Sequence, residues 1–155
     1  MKGSKNVLKQ FQKLLNGELA ARDQYMAHSR IYKDLGLNKL YERLNHEMEE
    51  ETEHADALME RMLFLEAQPD MNSQDKVRVG SSIREMLQND LDVEYEVIAA
   101  LKEAIAVCEE EYDFDSREIL TKLLDDTEMD HAYWLEKQLG LIKMTGMKNY
   151  LQSQM

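Results

Sequence analysis

Apolar side chains recur along this chain at alternating spacings of four and three, a rhythm that only a helix turns into a single buried face. The first stripe is Val7, Phe11, Leu14, Glu18, Ala21, Tyr25, His28, Tyr32 and Leu35, closed by Gly36. Asn38 is placed to cap a second helix, whose stripe runs through Leu40 or Tyr41, Leu44, Glu47 with Met48, Glu51, His54 with Ala55, Leu58, Met62 and Leu65, with Pro69 beyond its end. One proline and 6 glycines in 155 residues leave few places where such helices must break.

Residues 67–81 (AQPDMNSQDKVRVGS) lose the period and are long enough to cross a bundle from end to end. Ser82 with Glu85 forms a capping-box pattern before a third stripe of Ile83, Leu87, Asp90, Glu94, Val97, Leu101, Ile105 and Cys108, ending near Glu111. Asp115 with Glu118 repeats the pattern before a fourth: Ile119 with Leu120, Leu123 with Leu124, Thr127 with Glu128, His131, Trp134 with Leu135, and Gln138. Gly140 is the expected stop, and Met147 to Gln154 predicts a fifth helix too short to stand without docking. The expected fold is all-α: a four-helix bundle with a long crossover between helices 2 and 3, in one domain over residues 1–155.

A formal charge of -12 repels phosphate backbones and anionic lipid, so neither nucleic acid nor a membrane surface is an expected partner. MKGSKNVLKQ has no apolar stretch after its basic residues, and no run approaches a membrane span, which predicts a cytoplasmic protein. The lone Cys108 has no partner for a disulfide or a CxxC motif and reads as a buried apolar side chain.

The informative residues are those that spoil the stripes. Glu18, Glu51, Glu94 and Glu128 each take a core-facing position near the middle of a different helix, and no lysine or arginine on those stripes neutralises them. Glu51 precedes His54, and Glu128 precedes His131, at the i, i+3 spacing that lets one metal touch both side chains. Glu18 stands 33 residues before Glu51, and Glu94 stands 34 before Glu128, so each helix pair offers one Glu and one Glu-x-x-His. Two such halves suit a dinuclear site. Carboxylate oxygens with two imidazoles favour iron or manganese over structural zinc or an iron-sulfur cluster.

LNHEMEEETEHADALMERMLFLE, with GELAARDQY around Glu18 and DHAYWLEKQLGLI after Glu128, resembles bacterioferritin-type bacterial ferritins, and the similarity runs through the C-terminal NYLQSQ. The resemblance implies a ferritin-like fold with a short fifth helix lining fourfold channels of a hollow 24-subunit shell. It implies a ferroxidase centre with Glu18 and His54 on one iron, Glu94 and His131 on the other, and Glu51 and Glu128 bridging. Iron would be oxidised there by O₂ or H₂O₂ and stored as mineral. Tyr25, two turns after Glu18, is a candidate partner or one-electron donor for the centre, while Trp134 and His28 read as structural. His46 and Glu50 are candidates for a transient iron site. Haem-binding members carry a methionine two residues before the first Glu-x-x-His histidine. Thr52 stands there, which predicts a haem-free subunit, alone or mixed with a haem-binding one. A di-iron or di-manganese oxidase or peroxidase, and a non-catalytic partner subunit, remain alternatives.

Overall fold

The computed structural model describes residues 1–155 and contains helices but no strand. Helices α1 (Lys5–Asp34), α2 (Asn38–Phe64) and α3 (Ile83–Glu110) are each unbroken. The fourth bundle helix is a composite: α4 (Phe114–Asp125), a π-helical segment (Asp126–Ala132) and α5 (Tyr133–Thr145) follow without a gap, and α6 (Met147–Ser153) comes after.

Local chemistry explains most of the ends. The hydroxyl of Ser4 accepts from the Asn6 and Val7 amides, and that of Ser82 from the Glu85 amide at 3.2 Å. Glu85 reaches back to the Ser81 amide at 2.9 Å, one residue before the expected partner. The fourth helix starts earlier than its Asp115–Glu118 pattern suggests, because Asp113 supplies the cap, accepting from the Ser116 amide at 3.1 Å. Asn38 is the first residue of α2 rather than its cap, and Leu37 provides no side-chain bond. The end of α6 serves instead: the Lys39 amide donates to the Gln154 carbonyl at 3.0 Å. Gly140 does not stop its helix. It sits with open space around it, and the chain turns at Gly146, where φ is +82°.

The crossover fixes the direction of the second pair. Leaving the end of α2, it runs back along α1: Gln12 Nε2 donates to the Asp70 carbonyl at 2.9 Å, the Asp75 amide to the Asn16 carbonyl at 3.1 Å, and the Arg78 amide to Gln24 Oε1 at 3.0 Å. Its last anchor is buried. The Gly80 amide donates to His28 Nε2 at 3.1 Å, which leaves the proton of the neutral ring on Nδ1 to face Asp90 Oδ1 at 2.9 Å. A Cβ on Gly80 would lie 2.6 Å from the Met86 amide nitrogen, so only glycine lets the chain approach α3 this closely. The α1/α2 and α3/α4 pairs are therefore each antiparallel, while α2 and α3 run parallel. A continuous apolar core joins all four, and α6 closes one end by inserting the buried Tyr150, whose hydroxyl donates to Gln138 Oε1 at 2.8 Å. No helix is long and apolar enough to cross a membrane.

Candidate metal centre

Midway along the bundle the apolar core is interrupted by side chains from α1, α2, α3 and the π-helical segment. Glu18, Glu51, Glu94, His54 and His131 are all buried. Ligand atoms of Glu18, Glu51 and His54 lie within 4.8 Å of one another, as do those of Glu51, Glu94 and His131. Glu51 belongs to both groups. One of its oxygens is 3.5 Å from His54 Nδ1 and the other 2.9 Å from His131 Nδ1. Glu18 approaches His54 Nδ1 at 3.6 Å, Glu94 approaches His131 Nδ1 at 3.4 Å, and the two imidazoles stack with centroids 5.7 Å apart. The geometry is a pair of three-donor groups hinged on one carboxylate.

Several polar atoms of these groups have no hydrogen-bond partner. Both oxygens of Glu18, one each of Glu51 and Glu94, and Nδ1 of both histidines are buried without a hydrogen-bond partner. Such atoms are expensive to leave unsatisfied, and carboxylate oxygens with imidazole nitrogens are a donor set for iron or manganese. The residues fit a metal pair.

Electrostatics records the crowding. Burial, reinforced by the neighbouring Glu51 charge, pushes the Glu18 carboxyl up to about 8. Burial also works against a charged His54, but the Glu18 and Glu51 carboxylates overcome it and hold the imidazole up at about 11. For His131 the same contest, against Glu47, Glu51 and Glu94, ends far above the ordinary histidine value. Burial raises Glu94, partly offset by His131, whereas Glu51 is lowered despite its burial by its closeness to the Glu18 carboxyl and the two imidazoles. Tyr25 is also buried, and its hydroxyl donates to Glu94 Oε1, so it touches the centre directly.

Glu128 stands apart. It pairs with Lys102 at 3.1 Å, its side chain 37% exposed, and the buried position beside it belongs to Thr127, whose hydroxyl donates to the Leu123 carbonyl at 2.7 Å. The π-helical segment is the cause: its wider turn lags behind the α-helical rotation, so a stripe counted at 3.6 residues per turn places this residue wrongly. Of the other pair, Glu50 joins exposed His46, at 2.7 Å from Oε1, to buried His131, at 2.6 Å from Oε2. Thr52 is exposed on α2 with its hydroxyl on the Met48 carbonyl at 2.9 Å.

Two contacts were not foreseen from the sequence as parts of the centre. Asp126 lies 3.2 Å from His54 Nε2, and Glu47, side chain 3% exposed, lies 2.6 Å from His131 Nε2. The signal for Glu47 is present: it falls one turn before Glu51 on the same stripe. Asp126 has no such signal because it belongs to the π-helical segment.

A bundle of two antiparallel helix pairs joined by a long crossover, with paired carboxylate and histidine donors at mid-height, defines a class. The chain belongs to the ferritin-like domain family, whose model matches residues 8–145. Within that family it is similar to proteins named bacterial ferritin: 66% identical over 155 residues to that of Synechocystis sp., covering 100% of this chain and 99% of the relative. It is 58% identical over 154 residues to that of Pseudomonas aeruginosa, covering 99% of each chain. More distant is the bacterioferritin of Mycobacterium leprae, 37% identical over 150 residues, covering 97% of this chain and 94% of that one.

Proposed function

We propose that this chain is an iron-storage subunit that oxidises Fe(II) at the Glu18–Glu51–His54 and Glu51–Glu94–His131 groups and passes Fe(III) to a mineral inside a hollow shell of 24 subunits. The observation carrying the reading is the sharing of Glu51 between two buried three-donor groups in which both Glu18 oxygens, one oxygen each of Glu51 and Glu94, and Nδ1 of both histidines have no hydrogen-bond partner. Iron is the substrate. Each of two Fe(II) ions gives up one electron, and the pair reduces O₂ to peroxide or peroxide to water.

The protein's part is electrostatic and geometric. Glu51 spans the two positions, Glu18 and Glu94 terminate them, and the imidazoles add neutral donors that keep affinity for Fe(II). A surplus of anionic oxygen favours Fe(III) over Fe(II) and so drives the oxidation. Glu128 completes the set as second bridge by leaving Lys102, with which it forms a half-exposed pair of small cost to break. Tyr25, whose hydroxyl donates to Glu94, holds that terminal carboxylate in position as a partner of the centre. The Glu50–His46 pair leads from His131 to the surface and serves as a transient iron site. Thr52 offers no thioether, so the subunit carries no haem of its own, whether it forms the shell alone or beside a haem-binding subunit. The cytoplasm is the compartment that fits iron buffering of this kind.

Replacing Glu18 or His131 by alanine tests this. Rapid Fe(II) oxidation should fall at least about a hundredfold, given that even residues outside a metal's immediate ligands typically matter by 10–100-fold, while the assembly persists on its apolar core. Parent-like rates in both variants would overturn the assignment. An oxidase or peroxidase acting on an organic substrate would instead turn over without accumulating mineral.

A further inference from the structure

We propose that His28 is an acid-operated latch on the crossover: a proton taken up there releases the end of the crossover around Gly80, residues 78–82, while the bundle stays folded. The device is independent of the iron reading and turns on one buried oxygen. Asp90 Oδ1 accepts from His28 Nδ1 at 2.9 Å and from Gln24 Nε2 at 2.8 Å, and all three side chains are buried. Holding those two donors leaves His28 Nε2 and Gln24 Oε1 as acceptors facing the crossover. Its backbone uses both. The Gly80 amide donates to His28 Nε2 at 3.1 Å, and the Arg78 amide donates to Gln24 Oε1 at 3.0 Å.

Only one of these two prongs can change its sign. The Gln24 amide has no charge to gain, whereas a proton on His28 Nε2 turns an acceptor into a donor that faces another donor. The Gly80 amide has no second acceptor. Nor can it move closer to α3, because a Cβ on Gly80 would already lie 2.6 Å from the Met86 nitrogen. The move left to the chain is outward, away from the ring. Against it stand the Gln24 prong, Asn89 Nδ2 on the Arg78 carbonyl at 3.2 Å, and the solvent-exposed Arg78–Glu96 and Ser81–Glu85 contacts, which hold weakly in water.

The surroundings make the latch open in acid by either partner. Asp90 from α3 is the one ionisable group bonded to the ring, and Tyr32 from α1 lies with ring centroids 6.5 Å away. Tyr25 of α1 and Glu47 of α2 act on Asp90 rather than on His28, and the crossover brings no charge inward because Arg78 is paired with Glu96. Burial raises the Asp90 carboxyl despite His28 and Gln24, and its Oδ2 is buried without a partner. A proton arriving there weakens the oxygen on which both prongs depend. Both routes run one way: release as pH falls. Just upstream, Asp75, Lys76 and Arg78 wall one side of a cavity of about 390 Å³ floored by Gly17, Ala20 and Val97. Loosening at Gly80 opens that wall, so the groove between α1 and α3 is covered at neutral pH and accessible in acid.

Hydrogen–deuterium exchange of the assembled full-length protein, corrected for intrinsic rates and followed from about pH 8 to about pH 5, reads the latch directly. Protection of peptides covering residues 78–82 should fall at least about tenfold across that range, as the loss of one hydrogen bond requires, while peptides of α1 and α3 keep theirs. His28→Gln, uncharged but still able to donate to Asp90 and accept from Gly80, should hold the protection constant. Asp90→Asn removes the carboxylate that favours a charged ring and should move the release down by at least about one pH unit, which keeps the test decisive if the glutamine variant does not assemble. Three results would overturn the proposal: protection of 78–82 that is constant with pH in the parent, protection that falls together with that of α1 and α3, or a release that keeps the parent's midpoint in either variant.

Discussion

At the scale of single residues the centre is a cluster of groups that share too few protons. Glu18, raised to about 8, and His54, held at about 11, are both protonated near neutrality, and His131 is held higher still. Metal binding must displace those protons, so calorimetry at pH 7 in buffers of different ionisation enthalpy should show release of about three protons per metal pair, with affinity rising between pH 7 and 9. Binding with no proton release would contradict the assignment of these shifts. The same groups set the stability of the metal-free protein. Glu18, raised from 4.5, destabilises the fold progressively as pH climbs from about 4.5 through about 8. His54, raised from 6.5, stabilises it below about 6.5 and loses that contribution as pH rises through about 11. Both push one way: the metal-free protein should melt higher at pH 6 than at pH 9, and Glu18→Gln should shrink the difference. Glu18, Glu51, His54, Glu94 and His131 were legible in the sequence because each spoils an otherwise apolar stripe. Glu128 was legible as a Glu-x-x-His member, but its position was not, since counting at 3.6 residues per turn fails where the backbone widens into a π turn.

Among the elements, the four long helices and the crossover could be read from periodicity alone, because burial of a continuous stripe dominates helix placement. Their ends were less legible. A glycine marks a stop only where the backbone needs a positive φ, which Gly146 meets and Gly140 does not. The α3–α4 turn shows the converse: Tyr112 takes φ +57° without being glycine, as the Asp113 amide closes on the Cys108 carbonyl at 2.9 Å. A side chain in that conformation costs about 1–2 kcal/mol, and Tyr112 is exposed, losing only an edge contact with Phe114. Tyr112→Gly should therefore stabilise the protein by about 1 kcal/mol in thermal or denaturant unfolding. The buried His28 links α1, the crossover and α3, and His28→Ala strands the part-buried Gly80 amide and leaves buried Asp90 with Gln24 Nε2 as its one remaining donor. A loss of about 1–3 kcal/mol follows, with faster amide exchange through residues 78–82.

For the whole molecule, the proposed shell would give the exposed apolar side chains of the helix exteriors, among them Leu63, Phe64 and Tyr133, a partner surface. Light scattering should find assemblies far above the 18.2 kDa of one chain; a stable monomer would remove the storage shell. Homopolymer produced with abundant haem should show little Soret absorbance, and Thr52→Met should increase it, because a dyad presents the same residue to the haem twice. The proposed pair of iron positions hinged on Glu51, one pair per subunit, is tested most directly by stopped-flow oxidation at increasing Fe(II) loading. A fast phase whose amplitude saturates at about two Fe(II) per subunit, and which Glu51→Ala removes, is the predicted result. Oxidation that rises with iron without saturating, or survives that substitution unchanged, would contradict it.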